Sequence, residues 1–78
     1  MSNSHDASYL NAVEIAMVKA RELGYPVGKM KVTFFRTNGV CTTYFETMPE
    51  SGHAVLGGDL TVNVELRTLK IVGIERGQ

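Results

Sequence analysis

Residues 30–47 read MKVTFFRTNGVCTTYFET, and their pattern decides the fold. Two runs rich in β-branched and aromatic residues, MKVTFFR (30–36) and VCTTYFET (40–47), flank the pair Asn38-Gly39. Asn-Gly tolerates positive φ at both centres of a type I′ turn, whose twist matches that of two paired strands. With Asn38-Gly39 as a two-residue loop, Thr37 stands opposite Val40, Phe35 opposite Thr42, Phe34 opposite Thr43, Thr33 opposite Tyr44 and Val32 opposite Phe45. Alternation then sends Val32, Phe34, Cys41 and Phe45 to one side of the hairpin. Thr33, Phe35, Val40, Thr42 and Tyr44 go to the other.

Working outward, the period changes on both sides. Upstream, Tyr9, Val13, Ala16, Met17, Ala20 and Leu23 recur at offsets of three and four, the stripe of an amphipathic helix. Asp6 or Ser8 can cap its start, and NAVE (11–14) also has capping-box spacing. In LGYP (23–26), Gly24 can turn left-handed after the last helical turn, and Pro26 cannot continue the helix. Residues 1–5 read as a frayed polar tail and 6–78 as one domain.

Downstream, MPESGHAVLGG (48–58) holds a proline and three of the chain's eight glycines and reads as a mobile loop. DLTVNVEL (59–66) then alternates strictly. Leu60, Val62, Val64 and Leu66 point one way, and Thr61, Asn63 and Glu65 the other. A tight turn around Arg67-Thr68 sets Leu66 opposite Leu69 and Val64 opposite Ile71 on the core face. Lys70, Val72 and Ile74 join Asn63 and Glu65 on the far face, unless Gly73 marks a bulge, which would turn Ile74 over. The expected fold is α+β in the order α-β-β-β-β, one helix laid across a four-stranded, mostly antiparallel meander.

Size and charge narrow the function. Seventy-eight residues make a single small domain with a marginal core that gains from pairing. Eight Lys+Arg balance eight Asp+Glu, which argues against a nucleic-acid surface and leaves little repulsion between copies. A lone cysteine, Cys41, forms no internal disulfide, and the N-terminus shows neither a basic leader nor a long apolar stretch. A soluble cytoplasmic protein with no membrane partner is the expectation.

Few residues suggest chemistry. GGDLTV (57–62) invites comparison with a phosphate cradle, but its glycines precede a strand rather than a helix N-terminus, and no P-loop lysine follows. It reads as a bend into a strand with Asp59 at the solvated end. His5 and His53 are far apart and lack ligand spacing, and Cys41 falls among Val32, Phe34 and Phe45, where a thiol behaves as a small hydrophobe. No catalytic set, metal site or cofactor motif emerges. What remains is the sheet face opposite the helix. It would expose Phe35, Val40, Tyr44, Val72 and Ile74 together, an apolar patch suited to a protein partner or to a second copy in a homodimer. Glu50, His53 and Asp59 would supply rim or loop contacts. The alternative is a small ligand-binding protein or enzyme, with a pocket under the 48–58 loop served by Glu46, His53 and Asp59.

VLGGDLTVNVELRTLKIVGIERGQ (55–78) resembles the C-terminal hairpin of small bacterial domains of the PepSY and NTF2-fold immunity type: a glycine-rich lead-in, an alternating strand, a tight turn and a Lys-Ile return strand. AVEIAMVKARELGYP (12–26) and TTYFET (42–47) look like the helix and central strand of such cystatin-like units. The turn departs from that pattern, with Glu65-Leu66-Arg67-Thr68-Leu69-Lys70 where Asp-x-x-Thr-Gly-Lys is usual. Leucine at the glycine position resists positive φ, so a turn of another type is expected. The resemblance implies a non-catalytic role, binding and blocking a protein such as a toxin or a peptidase.

Overall fold

The computed structural model describes residues 7–47 and 58–77. The expected tail (1–5) and nearly all of the 48–58 loop lie outside them. Helix α1 (Ala7–Glu22) leads through a short 3₁₀ turn (Val27–Lys29) into strands β1 (Met30–Thr37), β2 (Val40–Thr47), β3 (Leu60–Glu65) and β4 (Lys70–Arg76). The strands form one sheet in chain order, and every neighbouring pair is antiparallel. The α-β-β-β-β meander is therefore as the sequence indicates.

Local chemistry sets each boundary. The described helix runs from Ala7, so Ser8 and the NAVE box lie within it rather than ahead of it, and Asp6, the other candidate cap, lies outside the described residues. It ends as the glycine predicts. Gly24 has φ +94°, its N–H donates to Arg21 O, and the Tyr25 N–H donates to Ala20 O, which together make a Schellman cap. In the first hairpin Asn38 and Gly39 have φ of 52° and 77°, the type I′ signature, and Thr37 pairs with Val40. Every cross-strand pair foreseen for this hairpin is present.

The second hairpin departs from the sequence reading at two points. Its turn spans residues 66–69 and does contain a left-handed residue. Leu69 has φ +60°, with its N–H donating to Glu65 O and the Thr68 hydroxyl donating to Glu65 Oε1. Leucine thus occupies the conformation it was expected to resist, at a backbone cost of roughly 1–2 kcal/mol. Its side chain packs against the core cluster, which offsets that cost. Further along, Val64 pairs with Ile71 but Asn63 pairs with Gly73, leaving Val72 as the extra residue of a bulge. Ile74 consequently stands opposite Val62, a core residue, and belongs to the helix side of the sheet rather than the open face.

The core lies between α1 and the two central strands. Ala12, Val13, Ala16 and Ala20 of the helix are buried with Cys41, Phe45, Leu60, Val62 and Val64 of β2 and β3. Burying Phe45, Leu60, Val62 and Val64 completely contributes roughly 1.5–3 kcal/mol each. Thr43 is the one buried polar side chain among the described residues, and it lies 3.9 Å from Cys41 Sγ. Phe34, expected in the core, faces the helix side but is 42% exposed on β1. Its ring meets Tyr9 edge-on at 5.8 Å, and the Arg36 guanidinium lies over the same Tyr9 ring at 5.5 Å. At the opposite corner Arg76 of β4 lies over Tyr25. The helix therefore crosses the sheet from β1 toward β4.

Two substitutions check this packing. Gly39→Ala meets no atom within 4 Å, so its cost is the backbone alone, about 1 kcal/mol and a melting temperature lower by about 4–8 °C. Ala16→Leu overpacks the helix–sheet contact and is expected to cost about 1–3 kcal/mol in urea unfolding. A neutral Ala16→Leu would mean that the helix does not sit tightly on the sheet.

Candidate functional site

The open face is built by the register. One cross-sheet row runs Thr33–Tyr44–Thr61–Glu75, the next Phe35–Thr42–Asn63–Gly73, and a third Thr37–Val40–Glu65–Lys70. This face is a threonine-rich surface with one aromatic cluster rather than a continuous apolar patch. Phe35, 50% exposed, has Val40 and Tyr44 at its diagonals, within reach of an aromatic ring. Val40 and Tyr44 are half-buried. Val72 is 57% exposed in the bulge, beyond β2 and β3 from Phe35. Ile74 is 40% exposed on the other side of the sheet, so only Phe35, Val40 and Tyr44 of the expected five come together.

Hydrogen bonds fix the polar members. The Thr42 hydroxyl donates to Asn63 Oδ1 at 2.7 Å. Gly73 leaves room for that amide, since a Cβ there would come within 3.3 Å of Asn63 Nδ2. The Tyr44 hydroxyl donates to Asp59 Oδ2 at 2.9 Å. Asp59 was expected to be a solvated loop contact. It is half-buried instead, held against β4 by the Gly77 N–H donating to its carbonyl. Pattern reasoning missed this pair, because Tyr44 and Asp59 meet only once β2 and β3 are in register. Gly58, with φ +58°, bends the chain into β3 just before it, so the described part of GGDLTV is a strand lead-in.

The Tyr44–Asp59 bond holds the phenol protonated. That bond first, then desolvation and the charges of Asp59 and Glu46, raise the Tyr44 hydroxyl above its usual 10.0. Burial likewise pushes the Cys41 thiol up, with the Thr43 contact partly opposing it, and keeps it out of reach of solvent as expected. Glu50 and His53 lie outside the described residues, as does His5. Among the described residues no three His, Cys, Asp or Glu side chains are grouped as a metal site would need. No helix among them is long and apolar enough to cross a membrane.

A concavity on the helix side was not foreseen. A groove of about 520 Å³ runs beside α1, floored by Ile15, Val18, Leu69 and Ile71 and rimmed by Asn11, Glu14, Lys19 and Glu22. It opens on the helix side, away from Phe35 and Tyr44. The helix stripe alone gave no signal for it, because Ile15 and Val18 lie off the buried line.

The Tyr44–Asp59 pair yields a titration test with a definite sign. A phenol whose folded pKa is raised contributes stability that is fully present below its unfolded value near 10 and is lost as pH rises through the folded value. Asp59→Asn is expected to return Tyr44 toward the ordinary phenol range, read by NMR of its ring carbon. An unchanged Tyr44 titration would show that the carboxylate does not accept from this hydroxyl in solution.

No protein-family model, curated protein or solved structure matches this chain.

Proposed function

We propose that the chain is a small, non-catalytic protein-binding module that works through the open face of its sheet. The observation that carries this reading is the Phe35 ring, half exposed and bracketed by Val40 and Tyr44 on a face otherwise covered by threonine, asparagine and charged side chains. An aromatic anchor inside a polar surround is the usual anatomy of an interface centre and its rim. The Tyr44 hydroxyl is already held by Asp59, so this side chain loses little freedom when a partner covers it. The resemblance of the helix and second hairpin to immunity-type, cystatin-like units favours an inhibitory form, in which the face blocks a toxin or a peptidase. A buried single thiol, with no disulfide to form, suits action in the cytoplasm.

The competing reading, a ligand pocket served by Glu46, His53 and Asp59, is weakened by the same bond. Asp59 is engaged by Tyr44, and Glu46 lies on the open face opposite Lys31. The test is affinity capture on immobilised wild type, followed by titration of each captured protein against Phe35→Ala, Tyr44→Ala and Lys31→Ala. Loss of about 30-fold in affinity for the two aromatic variants, with Lys31→Ala near wild type, is the expected result. A partner that binds both aromatic variants as tightly as wild type would place the working surface elsewhere.

A further inference from the structure

The two edges of the sheet are guarded differently. β4 is interrupted by its bulge at Val72 and by Gly73, features that blunt an edge. β1 runs for eight residues without a proline, and its register with β2 is unbroken from Met30 to Thr37. From Thr33 to Thr37 every residue is exposed, the neighbours Phe34 and Phe35 included. The ladder fixes where the backbone groups point. The Leu66 N–H donates to Gly39 O, so Cys41 and Thr43, two and four residues on, bond toward β3. Val40, Thr42 and Tyr44 therefore bond the other way, to Thr37, Phe35 and Thr33. The N–H and C=O groups of Val32 and Phe34 are left pointing outward, and no described backbone group pairs with them. We infer that this edge takes an extended, acidic segment of a partner protein as a fifth strand.

Charge selects that occupant. From Leu23 to Phe45 the chain carries Lys29, Lys31 and Arg36 and no Asp or Glu, although its charges balance overall. Glu46 stands opposite Lys31 and offsets only part of that excess. A second copy paired along β1 would bring Lys31 and Arg36 of both chains onto one ribbon with no carboxylate on either strand, which opposes self-pairing. Carboxylates flanking an incoming segment complement the same cations. An apolar residue at the centre of the segment lies beside Phe34 or Phe35, according to register, and covers a ring that the helix leaves half exposed. Main-chain bonds hold such a segment, and alternate side chains select it. The inference rests on reading the open face as a protein-binding surface, because Phe35 belongs to both, and it adds the conformation and charge of what binds.

The probe is a capped peptide of alternating valine and threonine with glutamates at both ends, titrated into the isotope-labelled full chain to about 1 mM and read by amide NMR shifts. Shifts centred on Val32 and Phe34 are expected, and lysines in place of the glutamates are expected to weaken binding about tenfold at low salt. N-methylating alternate peptide residues is expected to abolish binding for one set and spare it for the other, since only one set bonds to β1. Phe34→Pro removes an outward N–H without touching the bonds to β2. With the fold verified by circular dichroism, it is expected to bind about tenfold more weakly than Phe34→Ala. No binding at about 1 mM overturns the inference, as do equal effects of the two N-methylated sets or equal binding of the lysine peptide. A dimer seen in sedimentation equilibrium and lost in Phe34→Pro would give the edge to a second copy instead. Tyr44→Ala separates the two readings, since it is expected to lose the captured partner and keep the peptide. Peptide shifts confined to Thr61 and Asn63 would overturn strand addition and leave the open face standing. A captured partner that ignores Phe35→Ala and Tyr44→Ala would overturn the open face alone.

Discussion

Three alanines spaced one helical turn apart, Ala12, Ala16 and Ala20, form the line on which α1 meets the sheet, and all three are fully buried. With no long side chain between backbone and sheet, the helix packs closely over β2 and β3. A close helix has a narrow footprint, so the outer strands receive only partial cover. Phe34 on β1 stays half exposed despite its edge contact with Tyr9, and Ile71 and Ile74 on β4 stay partly open. Bulkier residues on the contact line would lift the helix and widen its cover, at the expense of the tight centre. The groove beside α1 is thus a direct result of alanine packing.

The two layers of the molecule differ in kind. On the open side, cross-strand hydrogen bonds and threonines keep the surface hydrated around one aromatic cluster. On the helix side, aliphatic residues are left incompletely covered and are edged by charges of both signs. The two surfaces lie on opposite sides of one sheet.

Much of the architecture was legible in residues whose constraint is local. Asn38-Gly39 specified a turn type and with it the register of the whole first hairpin, and Gly24 with Pro26 specified the end of the helix. The alternation of Leu60, Val62 and Val64 specified which side of β3 is buried. What escaped depends on relations between distant residues. Whether Gly73 interrupts the ladder is decided by the strand beside it, so Ile74 was assigned to the wrong face. Leu69 adopts a left-handed backbone while its side chain packs against the core cluster, a contact that propensity cannot show. The Tyr44–Asp59 bond and the groove needed two elements to be set side by side. Of the candidate surface, the Phe35–Val40–Tyr44 group was readable because one hairpin contains it, whereas Val72 and Ile74 were joined to it only by assuming an unbroken ladder.

The strand order β1-β2-β3-β4 also governs how the chain finds its structure. Every strand pairs with its neighbour in sequence, so no pairing must wait for a distant segment to arrive, and contact order is low for a sheet protein. The two-residue and four-residue turns can close each hairpin locally, in roughly 1–10 μs. Joining β2 to β3 closes the longer span of residues 48–59. Lengthening that span twofold would cost only about 0.6 kcal/mol of closure entropy. The docking of the two hairpins, with α1 laid over the seam between them, is therefore expected to form the folding nucleus. Mutational φ-values high at Phe45, Leu60 and Ala16, and low at the sheet edges, would report it.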